Sequence, residues 1–247
     1  MNQHHALYAA LIARIRIHCQ HLIRDAERHA GSAWPGKGYL RWYIPERTSF
    51  IALKEGRNGQ ELFPAFPPAT EQQILETEQH LGFPLPPLLR LLYIQLANGG
   101  FGPGHGITGA IGGYPFSDIA LQGDIAQAYH QAIEEANVSR QSCIDAFIEA
   151  DQEEQHARQR SGKTQNDQGT VRIGPDGQVT PEWEDHLPPL WPHHVLPLCQ
   201  WGCNISTYLH ADTGHIFQGM SGPYLLVAAS LEEWLERWLA GENLQFL

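Results

Sequence analysis

The residues that invite a chemical reading cluster in two places. The first is the run FGPGHGITGAIGG, Phe101 to Gly113, in which Gly104, Gly106 and Gly109 stand in Gly-x-Gly-x-x-Gly spacing. Such spacing suits a phosphate cradle, because glycines let backbone N–H groups approach a pyrophosphate. That fingerprint needs a strand before it and a helix after it. Here the run follows a helical stretch, no helix opens at Gly109, and no Lys-Ser or Lys-Thr follows in P-loop spacing. The context argues against a nucleotide and for a tight loop whose backbone packs close to its surroundings.

The second place lies between His193 and His215, where His193, His194, Cys199, Cys203, His210 and His215 crowd together. Imidazole and thiolate are zinc ligands, but Cys-x-x-x-Cys is looser than the zinc-ribbon pair, and no second pair follows. On one straight strand Cys199 and Cys203 would stand about 13 Å apart, too far for one ion. Only a turn at Gln200-Trp201-Gly202 would unite them. No metal is assigned, although a metal-dependent enzyme built on residues 193–215 stays open as an alternative.

A nucleophile is equally hard to find. There is no Gly-x-Ser-x-Gly elbow. Cys143 shares a predicted helix face with Ile144, Phe147 and Ile148, which suits burial. The carboxylates Glu78, Asp118, Asp124, Glu182, Glu184, Asp185 and Asp212 are scattered, and nothing pairs two of them for acid–base work. Turn chemistry alone accounts for Asp212. No catalytic residue and no cofactor is assigned.

The elements that must position these residues are densest from Ile74 to Tyr114. Thr70 with Gln73 reads as a capping box. Ile74, Leu75, Glu78 and Leu81 follow at helical spacing, and Gly82 ends the helix. Pro84, Pro86 and Pro87 set the entry to a second, nearly all-apolar helix, which Asn98-Gly99-Gly100 stops. Upstream, residues 4–30 predict an amphipathic helix with Leu7, Leu11, Ile15, Leu22, Ile23 and Ala26 on its apolar face. Tyr39–Ile44 and Ser49–Lys54 read as strands, Arg57-Asn58-Gly59 as a turn and Phe63–Pro68 as a connector.

Downstream, Ile119–Asn137 and Ser142–Arg160 predict two helices, the latter ending in a solvated polar run. An exposed loop at Ser161–Gly169 and a hairpin or turn around Gly174-Pro175-Asp176-Gly177 follow. Val195–Cys199, Asn204–His210, His215–Gln218 and Tyr224–Ala229 read as strands, with a turn at Asp212-Thr213-Gly214. Ser230 with Glu233 caps a final helix whose stripe is Leu231, Trp234, Leu235, Trp238 and Leu239. Segregated helices and tight hairpins predict an α+β domain, a mainly antiparallel sheet with helices packed on it.

With 247 residues, 42% hydrophobic and 17% charged, the chain has the make-up of an ordinary globular protein. Its net charge of −11 disfavours nucleic acid as a partner, since phosphate backbones are bound by Lys and Arg. It suits rapid capture of a basic partner. Four scattered cysteines do not make a disulfide framework. No run reaches the length of a membrane-spanning helix, and the first residues do not read as a signal peptide. The expectation is a cytoplasmic protein with reduced thiols and no membrane partner.

Ile74-x3-Glu78-x2-Leu81-Gly82-x2-Leu85-Pro86, then Leu92-Tyr93, then Asn98-Gly99-Gly100, resembles the signature of the SUKH superfamily. That family includes fungal cell-wall-assembly regulators and many bacterial proteins that neutralise polymorphic toxins. Trp191-Pro192, Leu196-Pro197, Trp201-Gly202-Cys203, Gly214 and Ser230-Leu231-x2-Trp234 agree with it. The likeness spans roughly Thr70 to Gly241. It implies a SUKH-like domain over 69–247 with a helical insertion at about 119–185, and an N-terminal helix and strand pair over 1–68 packed on it. It also implies a non-catalytic protein-binding module, an immunity protein facing a basic toxin such as a nuclease. A regulatory or scaffold protein binding a host enzyme is the alternative. By similarity, Asn98, Gly99, Gly100, Trp201, Gly202 and Asp212 are candidates for a shared partner groove, although a cap, a turn and a packed tryptophan would use the same residues.

Overall fold

A computed structural model describes residues 3–29, 34–35, 38–45, 48–56, 61–117, 121–161, 171–173, 179–181, 186–220 and 222–245. The turn expected at Arg57-Asn58-Gly59, the loop over 162–169 and the Gly174–Gly177 turn lie outside the described residues. The chain opens with α1 (Gln3–Arg28), β1 (Trp34–Pro35), β2 (Leu40–Ile44), β3 (Ser49–Glu55) and β4 (Leu62–Pro64). Next come α2 (Glu71–Leu81), α3 (Pro87–Gln95), β5 (Phe101–Pro103), β6 (Phe116–Ser117), β7 (Gln122–Gly123) and α4 (Ile125–Ser161). It closes with β8 (Val171–Ile173), β9 (Val179–Pro181), β10 (Val195–Gly202), β11 (Ile205–His210), β12 (Ile216–Met220), β13 (Leu225–Ala228) and α5 (Leu231–Leu239). The fold is α+β with antiparallel sheets, as the sequence predicts.

Two compact units emerge, one of residues 1–131 with 192–247 and the other of residues 132–191. In the first, β1 to β4 form a sheet in order, and β5 joins it on β3. The register sets Tyr43 opposite Phe50, Arg41 opposite Ala52 and Phe50 opposite Gly102. Directly opposed residues share a face, so Arg41, Tyr43, Phe50 and Ala52 lie on one side. A second sheet, β10-β11-β12-β13, is a run of antiparallel neighbours.

Helix α1 buries Leu11, Ile12, Ile15, Leu22 and Ala26 against its neighbours. One hydroxyl ties three distant elements together. Ser49 Oγ on β3 accepts from Trp238 Nε1 of α5 at 2.9 Å and lies 3.3 Å from His18 Nε2 of α1. Trp234, Leu235 and Trp238 of α5 are all buried, as the apolar stripe requires.

Local signals are realised closely. Thr70 Oγ1 accepts from Gln73 N at 3.2 Å, and Gln73 Oε1 accepts from Thr70 N at 2.9 Å. Gly82 takes the left-handed conformation at the end of α2. Glu78 Oε1 accepts from Leu85 N at 3.0 Å, fixing the proline-set entry to α3. Ser230 Oγ accepts from Glu233 N, but the returning Glu233 carboxylate takes the Ala229 N–H at 2.8 Å, one residue earlier than a capping box would.

One expectation is corrected. The two helices predicted over 119–160 are a single helix, α4, and it begins later. Asp124 Oδ1 caps it by accepting from Ala126 N and Gln127 N, each at 3.0 Å, and the β6–β7 pair precedes it. No glycine or proline interrupts residues 125–161. Val138-Ser139 lowers helix propensity by only a few tenths of a kcal/mol per residue, roughly, which does not break a helix.

In the second unit, Asp151, Gln152, Glu153 and Glu154 of α4 are exposed, in keeping with the expected solvated run. Arg140 Nη1 donates to the Pro188 carbonyl at 2.9 Å. β8 pairs antiparallel with β9, giving the expected hairpin strands.

Candidate functional site

The glycine run is a junction between the two sheets of the first unit. From the first sheet, Ala52 N donates to the Gly100 carbonyl at 2.7 Å. Toward the second, His105 N donates to the Gln200 carbonyl at 2.7 Å and Thr108 N to the Leu198 carbonyl at 2.8 Å. The loop therefore pairs with the outer edge of β10, which would otherwise present unpaired backbone groups. Other N–H groups of the run are bonded within it. Gly100 donates to Ile107 O, Ile107 to Phe101 O, Gly109 to Tyr114 O and Gly113 to Ala110 O, all at 2.7–2.8 Å. A phosphate nest needs free, convergent N–H groups, and here those groups hold the protein together.

Glycine is required where the loop comes closest to its neighbours. A Cβ on Gly99 (φ 76°) would stand 2.6 Å from the Ile107 carbonyl oxygen, and one on Gly104 (φ 59°) 2.6 Å from that of Gln200. Helix α2 holds the far side of the loop. Gln73 Nε2 donates to Ile111 O at 2.9 Å, and Ile111 N donates to Thr77 Oγ1 at 3.0 Å.

Asn98 is buried, its Oδ1 accepting from Ala110 N at 2.8 Å and its Nδ2 donating to Ile111 O at 3.2 Å. Trp201 is buried too, and its Nε1 donates to Thr207 Oγ1 at 2.7 Å. The loop and Trp201-Gly202 meet, since a Cβ on Gly104 would lie 3.2 Å from the indole and one on Gly202 3.7 Å from His105 Cε1. Asp212 does not join them. It occupies the turn after β11, while Gly202 precedes that strand, so the strand's six residues separate them by about 20 Å. Asp212 Oδ2 instead lies 2.8 Å from His194 Nδ1, whose ring rests 4.3 Å from that of Phe83.

The histidine and cysteine cluster is spread out as well. β10 continues through Gln200-Trp201-Gly202 despite register shifts, so the turn that would unite the thiols is not there. Cys199 is buried and Cys203 is exposed in the following turn. Burial pushes the Cys199 thiol up to about 12, partly offset by its hydrogen bond with Thr207, so it stays protonated and unreactive. Among the described residues, no three of His, Cys, Asp and Glu come together as a metal would need. No helix among them is long and apolar enough to cross a membrane.

A cavity of about 280 Å³ lies beside the junction, lined among others by Arg41, Phe50, His105, Tyr114, Phe116 and Gln200. None of these six stood among the sequence candidates. Strand alternation could have flagged Arg41, because Arg41 and Tyr43 fall on one face of β2. The non-local pairing that brings His105 and Gln200 to that face leaves no local signal.

The frame is α+β, and its glycine loop is spent on joining the two sheets of the first unit. The chain belongs to the SMI1 / KNR4 family (SUKH-1), whose model matches residues 68–237. No curated protein and no solved structure matches it.

Proposed function

We infer that this protein is a non-catalytic binding module, an immunity protein that holds and neutralises a basic toxin. Family membership over residues 68–237 carries the reading. The net charge of −11 supports it, since an acidic surface matches what a nucleic-acid-directed toxin is built to bind. The partner surface is expected to be broad and charge-bearing rather than a groove of the six sequence candidates. Co-expression with the toxin encoded beside it tests this: cells survive and the two proteins co-purify in equal amounts. Death of the co-expressing cells, or a pull-down that returns one abundant housekeeping enzyme instead, contradicts it.

A further inference from the structure

The cavity beside the junction has walls and a charge of its own. Phe50, Tyr114 and Phe116 are buried and give it aromatic sides. An engineered cavity of about 150 Å³ holds benzene, so about 280 Å³ has room for a bicyclic ring, or for one ring with a short substituent. The polar groups around it differ in kind. Gln200 is neutral. His105 stays neutral near pH 7, its pKa lowered first by burial and then by the Arg41 charge.

Arg41 is therefore the cationic group of the lining. Its Nη2 donates to Tyr39 Oη at 3.4 Å, and its guanidinium lies 5.7 Å from the Tyr39 ring centroid. Among the described residues no carboxylate pairs with it. It belongs to the cavity lining together with His105 and Tyr114. A neutral ring would fill the space and leave the guanidinium unmatched, and a bare phosphate would leave the aromatic walls uncovered.

We propose that this cavity binds an aromatic ring bearing a carboxylate, the ring against Phe50, Tyr114 and Phe116 and the carboxylate on Arg41. Free aromatic acids and the chain end of a peptide share that chemistry. Isothermal titration of the full chain with indole-3-acetate, N-acetyl-tryptophan and neutral indole tests the idea. At least one acid binds about tenfold more tightly than indole, the scale of one charge-assisted hydrogen bond. Arg41→Met abolishes that preference while still binding indole, and Arg41→Lys keeps part of it. Tighter binding of the free acid points to a small-molecule source, and tighter binding of the acetylated residue to a chain end. The proposal is overturned if neither acid binds, if indole binds equally well, or if Arg41→Met keeps the preference. Thermal melting of each variant separates these results from misfolding, which the exposed position of Arg41 disfavours.

Discussion

At the scale of the residue, the two roles of glycine here can be separated by experiment. Gly82 and Gly99 share a positive φ, 82° and 76° respectively, but a Cβ on Gly82 meets nothing within 4 Å, whereas one on Gly99 would strike the Ile107 and Gly109 backbone. Gly82→Ala should cost only the left-handed penalty, about 1 kcal/mol. Gly99→Ala adds overpacking and should cost about 3 kcal/mol or more. Urea denaturation of both variants checks the difference, and equal losses would mean that the loop is not tightly packed. The thiols make a second contrast. Iodoacetamide at pH 8, followed by mass mapping, should modify exposed Cys203 readily and spare Cys199 until the protein unfolds. Comparable labelling of the two would remove Cys199 from the core.

At the scale of elements, the bond network predicts which distant segments depend on each other. Ser49→Ala leaves the buried Trp238 N–H without its acceptor, so it should destabilise the protein by about 1–3 kcal/mol. Hydrogen exchange should show faster opening in both α1 and α5, and protection unchanged in those helices would contradict the link. The elements legible in the sequence are those written by neighbours in the chain. The Thr70–Gln73 box, the Gly82 stop and the β11–β12 hairpin (Ile205–Met220) each involve one short, continuous stretch of chain. The continuity of α4 is not written locally: residues 138–141, left between the two expected helices, hold no glycine or proline and do not end a helix. The union of β5 with β3 and of the glycine loop with β10 was not legible at all. Each joins segments some 50 to 95 residues apart through backbone groups, which carry no residue-type signal. The same non-local pairing assembles the Arg41 cavity, whereas the length of β11 alone parts Asp212 from Trp201.

At the scale of the whole molecule, charge and family point the same way. A net charge of −11 attracts a basic partner over distances comparable with the Debye length, about 10 Å at 0.1 M salt. The sequence conveys this long-range property fully, because net charge does not depend on how the chain folds. We propose that this SUKH-1 family protein works by binding a basic toxin. The test is stopped-flow association with a toxin encoded beside it, measured from low to high salt. The expected result is a one-to-one complex whose association rate falls at least tenfold between about 50 and 500 mM salt. A rate indifferent to salt would contradict the electrostatic part, and no complex at any salt concentration would contradict the claim itself.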